Sequence, residues 1–512
     1  PANGLAALFM ATGQDMANIG EANQCSVYNY VTSDGDLYYS ITLPALIMAT
    51  YGGGTSLSTQ RECLELMGCY GQDKAYKLLE IAAGLEARHF SARELMQASL
   101  DQIAATNGAV NAVVSMPDPD TLLAMAQTAD ETARQGWLHG IPVAVKDLAN
   151  VKGLPTSWGS PLFKDFIAPE DDLVISRMRA AGALFIGKTN TPEFGLGSHT
   201  FNPVHGATRN PYDLGRSAGG SSGGAAAALA TRQLCIADGS DMMGSLRNPA
   251  GWCNVYGHRP TWGLVPNDPV GDVYLHPLAT LGPMARSPRD LAALLETQSG
   301  PDPRVPLSRT HPGPLMPAPG DHLNGARIGW LGDWGGAYPM ENGVLDTCRA
   351  ALTQMEAAGA IVEDVVAPFP AEELWQSWLG LRAFANSARL GAFYNDPAKR
   401  AGLKPDAIWE IETGLALSGP EILRLSAIRS RWSQTAARLF TQYDALVLPT
   451  AQVWPFPVDW VSPQEIAGQS MDTYHRWMEV VVPVALLGLP CTAVPAGFGS
   501  NGLPMGLQLF GP

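Results

Sequence analysis

The chain has 512 residues, of which 46% are hydrophobic and 16% are charged. This balance is typical of a globular protein, and the length predicts two or three domains or one large enzyme domain with an addition. A formal net charge of −15 argues against nucleic-acid binding. The seven cysteines are scattered, which argues against a disulfide framework and a cysteine metal motif. The apolar stretches are too short for a membrane span.

Three stretches stand out in residues 1–80: ATGQDMANIGEANQC (11–25), DGDLYYSITLPAL (34–46) and YGGGTSLSTQRECLELMGCYG (51–71). They resemble the catalytic domain of 3-hydroxy-3-methylglutaryl-coenzyme A reductase, and Asp15 matches that family's catalytic aspartate. The segments that would supply its catalytic glutamate, lysine and histidine are absent. The resemblance therefore implies a small, non-catalytic α+β segment, which is structural, mediates a homodimer or results from a fusion. The alternative is a working NAD(P)H-dependent reductase.

Strands and helices alternate in the pattern after residue 80. A capping box at 91–94 precedes apolar residues at helical spacing and predicts a helix over 91–106. Apolar runs predict buried strands at 140–148 and 183–189, with a helix at 173–181 between them. This alternation predicts an α/β layer architecture.

The stretch 299–323 is crowded with proline and histidine and predicts a loop or crossover. Beyond it the pattern predicts a strand at 326–332, a helix at 343–358, a mostly helical stretch at 372–442, and strands at 443–450 and 491–498. We expect the last two strands to belong to the same sheet as the earlier ones.

Lys146, Ser245 and the stretch GRSAGGSSGGAAAALA (215–230) are the candidates for chemistry. Lys146 ends a predicted strand, where α/β sheets place their ligands, although a lone lysine is more often a surface residue. The glycine- and serine-rich stretch is either a flexible linker or the start of a helix at Gly223, whose N–H groups point at a ligand. Ser245 alone is most simply a turn serine.

The same stretch also matches the G-x-S-x-G nucleophile elbow twice, with Ser217 or Ser221 as the attacking residue. That motif requires an apolar strand immediately before it, whereas RNPYDL precedes Gly215 and is a poor central strand. None of the downstream histidines that would supply its base lies in a distinctive context: His258, His276 and His475. The elbow is the weaker interpretation.

Taken together, VAVKD (143–147), GGSSGG (219–224) and GSDMMGSLR (239–247) resemble the amidase signature family. Lys146 and the two serines Ser221 and Ser245 are spaced as in that family. Further stretches match it in order, among them GKTNTPEFG (187–195) and GLPCTAVPAGF (488–498).

This resemblance implies an α/β fold with a mixed β-sheet core covered by helices. It predicts two domains, 1–80 and 81–512, and we expect the second to lack the family's usual C-terminal helix. The implied activity is amide hydrolysis that requires neither a metal nor an organic cofactor. The implied partner is a small-molecule amide, with no nucleic acid and no membrane, and the cysteine pattern favours the cytoplasm.

Carried over by position, the resemblance implies that Ser245 is the nucleophile, that Ser221 is a bridging serine with a cis peptide bond, and that Lys146 is the base. Burial disfavours the charged form of a lysine, so a neutral amine becomes able to accept a proton. Ser221 then relays the proton from Ser245 to Lys146, and an acyl-enzyme forms.

The resemblance also implies an oxyanion hole made by the backbone N–H groups of Met242, Met243, Gly244 and Ser245. The family usually has Thr-Gly where this chain has two methionines, which we expect to make the pocket floor bulkier and more apolar. The positions expected to support the site structurally are Asp241, Arg247 and Ser222.

Two alternatives remain open. The glutamine-hydrolysing subunit of a tRNA-dependent amidotransferase belongs to the same family, but NTPEF (190–194) looks like the stand-alone amidases. A non-catalytic fusion or binding protein is the other alternative. The substrate is not encoded in the motifs, because the resemblance places the pocket walls largely within the variable region 299–480.

Overall fold

The computed structural model describes residues 26–31, 37–42, 85–86, 88, 90–275, 278–311, 313, 315 and 323–512. The chain divides into two compact units, Pro1–Lys77 and Leu78–Pro512. In the first unit, strands β1 (Ser26–Val31) and β2 (Leu37–Thr42) form an antiparallel pair. Asp15, the position matched to a reductase aspartate, lies outside the described residues.

The second unit contains a large mixed sheet and several small ones. Its described strands are β3 (Val113–Val114), β4 (Pro142–Lys146), β5 (Leu184–Thr189), β6 (Phe201–Asn202), β7 (Gly206–Ala207), β8 (Arg209–Asn210), β9 (Asp213–Ser217), β10 (Ile236–Asp241), β11 (Tyr256–Arg259), β12 (Thr280–Ala285), β13 (Arg327–Trp330), β14 (Ile361–Asp364), β15 (Ala445–Pro449), β16 (Glu465–Ile466), β17 (Gln469–Ser470), β18 (Cys491–Phe498) and β19 (Pro504–Phe510).

The large sheet has eight strands in the order β10-β12-β11-β18-β19-β15-β13-β14. β13 pairs in parallel with β14 and β15, and the other neighbours are antiparallel. The predicted α/β class with a mixed sheet is therefore confirmed.

The early strands do not belong to that sheet, so the expectation of one common sheet was wrong. β3, β5 and β4 form a separate three-stranded sheet in which β4 and β5 are parallel. β4 meets the large sheet through a side chain, because the backbone N–H of Lys146 donates to Asp238 Oδ1 in β10 over 2.8 Å. At this point a side chain, not a strand pairing, joins β4 to the large sheet.

Helices cover the sheets. They are α1 (Ala92–Val110), α2 (Pro119–Glu131), α3 (Leu173–Ala180), α4 (Gly223–Ala230), α5 (Asn248–Trp252), α6 (Pro288–Gln298), α7 (Val344–Ala357), α8 (Ala371–Tyr394), α9 (Pro397–Arg400), α10 (Pro405–Leu415), α11 (Gly419–Leu439) and α12 (Val482–Leu487). Ser91 and Glu94 form the predicted capping box at the start of α1. Within the described ranges, no helix has the length and apolar character that a bilayer crossing demands.

Helix α4 explains the composition of the glycine- and serine-rich stretch. Its alanines, 225–228, are completely buried. A Cβ on Gly223 would lie 2.4 Å from Thr200 Oγ1, and one on Gly224 would lie 2.3 Å from Asn190 N. Only glycine permits such close approach. The stretch is therefore the buried start of a helix, and the linker interpretation is wrong.

Candidate active site

Lys146 lies at the carboxyl end of β4, where its side chain is 1% exposed. All five residues of β4 are buried, which is typical of a parallel strand covered on both faces. The contact with Asp238 fixes the end of this strand against β10. The lysine is therefore held at the junction of the two sheets and is not a surface residue.

Three serine side chains surround the amine of Lys146. Nζ lies 2.8 Å from Ser221 Oγ, 2.8 Å from Ser222 Oγ and 3.0 Å from Ser240 Oγ. A neutral amine has two N–H donors and one lone pair. Ser222 and Ser240 can accept its hydrogens while Ser221 donates to its nitrogen. Ser240 was not predicted from the sequence, although it directly precedes the aspartate of the motif GSDMMGSLR.

Burial lowers the pKa of Lys146 to about 7, against the opposing effect of the carboxylates of Asp238 and Asp241. The cause is desolvation, which disfavours the charged ammonium form. A lysine in water is almost fully protonated near neutral pH. Lys146 is consequently able to exchange a proton under conditions in which a surface lysine is not.

Ser221 and Ser245 reach one cavity from two different elements. Ser221 directly precedes Ser222, the N-cap of α4, and the Gly220–Ser221 peptide bond is cis. Ser245 lies in the loop between β10 and α5 and is 7% exposed. Both side chains line the cavity. Within the part of the chain that the structure describes, no hydrogen bond joins the two hydroxyls. Among Lys146, Ser221 and Ser245, only Lys146 and Ser221 are therefore hydrogen-bonded to each other.

Asp241 ends β10 and holds the loop that carries Ser245. Arg247 Nε donates to its Oδ2 over 2.9 Å and Arg247 Nη2 to its Oδ1 over 3.0 Å. Arg259 Nε lies 3.6 Å from Oδ1, and all three side chains are inaccessible to solvent. Burial would raise the pKa of Asp241, but the two arginines outweigh it and lower the pKa to about 2.

The backbone N–H groups of this loop fall into two sets. The N–H of Gly244, predicted to donate to an oxyanion, instead donates to Asp241 Oδ1 over 2.9 Å. That donor is engaged in holding the loop, so its assignment to the oxyanion hole is corrected. The N–H groups of Met242, Met243 and Ser245 make no hydrogen bond to any described residue. These three residues line the cavity.

The cavity has an apolar wall and a polar wall. The apolar side chains are those of Leu148, Phe194, Leu196, Met242, Met243, Ala279 and Met478. The polar wall is α8, which contributes Arg382, Asn386 and Arg389. Their spacing of four and three residues places them on one face of the helix. The predicted range 299–480 thus supplies the polar wall, whereas most of the apolar wall precedes it.

Ser217 is separate from this cavity. It ends β9, a strand of a small hairpin with β8, and its Oγ lies 2.7 Å from His199 Nδ1. His258 and His475 are hydrogen-bonded to threonine hydroxyls and do not line the cavity, and His276 lies outside the described residues. β9 is mostly exposed and is not the central strand that a nucleophile elbow requires.

The described residues offer no group of three or more histidine, cysteine or carboxylate side chains placed to hold a metal ion.

A sequence model of the family described as amidase matches residues 94–512. The fold and this match define the protein as an amide hydrolase, as predicted. It belongs to the amidase family. A model of hydroxymethylglutaryl-coenzyme A reductase matches residues 1–96, which confirms the second resemblance.

Similar proteins include hydrolases and amidotransferase subunits. An acylamidase of Rhodococcus erythropolis is 34% identical over 442 residues, which cover 84% of this chain and 90% of the relative. A glutamyl-tRNA(Gln) amidotransferase subunit of Methylococcus capsulatus is 34% identical over 460 residues, covering 85% and 93%. The crystal structure of a bacterial aryl acylamidase of the amidase signature enzymes superposes with a TM-score of 0.79 at 28% identity, covering 85% and 92%.

Proposed function

We propose that this amidase hydrolyses small carboxamides through an acyl-enzyme, with Ser245 as nucleophile, Ser221 as proton relay and Lys146 as base. One observation carries the proposal: a buried amine lies 2.8 Å from Ser221 Oγ, and Ser221 shares its cavity with Ser245. A base with a pKa near the working pH, placed within hydrogen-bond reach of a hydroxyl, is suited to general-base catalysis.

In the acylation step, Ser245 Oγ attacks the amide carbonyl carbon. Its proton passes to Ser221 Oγ, whose own proton passes to Lys146 Nζ. The tetrahedral intermediate then collapses, and the carbon–nitrogen bond breaks. The proton returns from Lys146 through Ser221 to the leaving nitrogen, which departs as ammonia or an amine.

In the deacylation step, water attacks the ester carbonyl on Ser245. The same relay takes a proton from the water and then returns one to Ser245 Oγ as the ester bond breaks. The products are a carboxylic acid and the free enzyme. Every proton transfer thus uses groups that this chain provides, and no external acid or base is required.

The negative charge of the tetrahedral intermediate is stabilised, in this proposal, by the N–H groups of Met242, Met243 and Ser245. They line the cavity and lack other partners among the described residues. A donor of this kind contributes about 3–4 kcal/mol to the transition state. Because the loop is held by Asp241, these donors are oriented before the substrate binds.

We expect kcat/KM for an uncharged amide to rise with pH through about 7 and to level off above about pH 8. Protonated Lys146 has no lone pair to accept the serine proton, and its pKa is lowered to about 7. The rate is therefore small below this pKa and full above it. The pH–rate profile of kcat/KM measures the effect.

Two variants control that measurement. Lys146→Met keeps the length of the side chain and removes the base. The kcat/KM of its residual activity should therefore not rise with pH near 7. Lys152→Met alters an exposed lysine and should keep the wild-type profile. A wild-type profile that is flat between about pH 5 and 9 would exclude Lys146 as the base.

Met243 is expected to limit the size of the acyl group, because it is buried and lines the cavity that also contains Ser245. Met243→Gly removes that bulk. We expect kcat/KM for a branched or aromatic acyl amide to rise by about tenfold relative to acetamide. The ratio between the two substrates is the readout, since it cancels any loss of folded enzyme. An unchanged ratio would remove Met243 from the acyl site.

Glutamine hydrolysis is a second candidate, because relatives of similar identity include amidotransferase subunits. A screen over aliphatic, aryl and cyclic amides, with glutamine included, separates the two. Turnover of glutamine alone would favour the amidotransferase role.

We further propose that residues 1–80 and 81–512 are separate domains and that the first has no reductase activity.

A further inference from the structure

One guanidinium in the cavity wall has no carboxylate partner among the described residues. Arg389 on α8 is exposed and lines the cavity that also contains Ser221 and Ser245. Its Nη2 donates to the backbone oxygen of Phe194 over 3.1 Å. That bond uses one of the five N–H donors of an arginine. The other donors are available to a ligand.

The neighbouring arginine on the same helix face is different. Arg382 Nη2 lies 2.8 Å from Glu410 Oε1, and both side chains are buried. Burial would raise the pKa of Glu410, but the charge of Arg382 outweighs it and keeps this pKa below its ordinary value. Arg382 and Glu410 therefore form a neutral pair. The net positive charge of the polar wall comes from Arg389 alone among its three residues.

Asn386 lies between the two arginines and is 1% exposed. Its Nδ2 donates to Glu410, while its Oδ1 has no hydrogen-bond partner among the described residues. A buried carbonyl oxygen without a partner is costly. Since Asn386 lines the cavity, an N–H group of a bound ligand can satisfy it. The polar wall thus offers one cation and one acceptor.

We propose that Arg389 binds a carboxylate of the substrate, so that the preferred substrates are amides that carry a carboxylate group. The inference rests on the proposed function, because it concerns the ligand of the same cavity. Apolar side chains, among them Phe194 and Met242, line the same cavity, which suits a hydrocarbon segment between the amide and the carboxylate. A guanidinium pairs with a carboxylate through two parallel charge-assisted hydrogen bonds.

The protein as a whole does not favour such a substrate. Its net charge of −15 repels anions at long range. Binding of a carboxylate therefore requires a local positive charge that is not already neutralised. Arg389 supplies that charge in the cavity wall, whereas Arg382 does not because Glu410 neutralises it.

Matched amides test the proposal. Glutaramate and valeramide have acyl chains of the same length, and only the first ends in a carboxylate. N-acetylglycine and N-ethylacetamide make the same comparison on the amine side. Wild type is expected to prefer the carboxylated member of at least one pair. Arg389→Gln should lower kcat/KM for that member about 10- to 100-fold, mainly through KM, and leave its uncharged partner within about twofold. Arg389→Lys should restore part of the loss.

Arg400→Gln is the matched control, since Arg400 forms an ion pair with Glu412 away from the cavity. This variant should leave kcat/KM unchanged for both pairs of amides. Equal losses on charged and uncharged substrates would mean that Arg389 only supports Phe194, and they would overturn the proposal, as would a wild type without preference. Calorimetry of glutaramate and valeramide with Ser245→Ala measures binding without turnover. If wild type hydrolyses no amide, the proposed function fails, while tighter binding of glutaramate than of valeramide that Arg389→Gln abolishes would still support the carboxylate site.

Discussion

Replacing Ser245 by alanine is expected to lower kcat/KM for amide hydrolysis on the order of 10⁵-fold. The reason is that the proposed acyl-enzyme forms on its Oγ, and alanine offers no atom that can attack. The fold should be unaffected, because the loop is held by Asp241 through Arg247 and two backbone N–H groups. Steady-state kinetics and thermal unfolding together measure both statements.

Ser217→Ala is the discriminating control for that variant. Ser217 fits the G-x-S-x-G pattern, is buried, and lies 2.7 Å from His199 Nδ1, so a serine–histidine nucleophile would be sought there. We expect this variant to keep hydrolysis within about tenfold of wild type, since the loss is structural. A fluorophosphonate probe should label Ser245 in wild type and in Ser217→Ala. Activity retained by Ser245→Ala, or label on a different serine, would contradict the triad.

Helix starts were predictable from the sequence where residues close together in the chain determine them. The capping box at Ser91 and Glu94 satisfies the first N–H groups of α1 by itself, so that helix start followed from the sequence. Helix α4 also begins at Gly223, as the glycine and alanine run indicated. Lys146 Nζ lies 2.8 Å from Ser221 Oγ and 2.8 Å from Ser222 Oγ, and the triad of Lys146, Ser221 and Ser245 stays a prediction.

Other features depend on contacts that a linear pattern does not contain. The sequence could not reveal that β4 meets β10 through the side chain of Asp238 instead of a strand pairing. It could not reveal that the N–H of Gly244 is engaged by a carboxylate three residues earlier. The polar wall of the cavity comes from α8, more than a hundred residues beyond Ser245. In the sequence, Arg389 looks like any other arginine of an amphipathic helix.

Asp238 and Asp241 influence the protonation of Lys146. Their negative charges favour protonated Lys146, whereas burial disfavours it more strongly, so the pKa falls only to about 7. Without these carboxylates the pKa of Lys146 would be lower still, and the amine would hold the serine proton of the proposed acylation less firmly. With less burial it would stay protonated. The proposed mechanism depends on both effects, and Asp241 also belongs to the buried network that holds the loop carrying Ser245.

Asp241→Asn is expected to reduce the free energy of unfolding by about 3–5 kcal/mol, because it leaves two buried arginines without their carboxylate. Arg247 and Arg259 are inaccessible to solvent, and both lie within ion-pair distance of Asp241. The two backbone N–H groups that the carboxylate accepts also lose their charged partner. Urea unfolding measures the loss. Activity should fall as well, since the N–H groups beside Ser245 are no longer held in place.

The stabilisation that Asp241 provides decreases at low pH. The folded-state pKa of Asp241 is lowered to about 2 from its ordinary value of 3.8. Its stabilisation is therefore complete above pH 3.8 and disappears as pH falls toward 2. Asp364→Asn is the matched control, because Asp364 pairs with Arg349 in an exposed position. That variant should change the unfolding free energy by less than about 1 kcal/mol. A loss for Asp241→Asn no larger than this would mean that the buried network does not hold the loop.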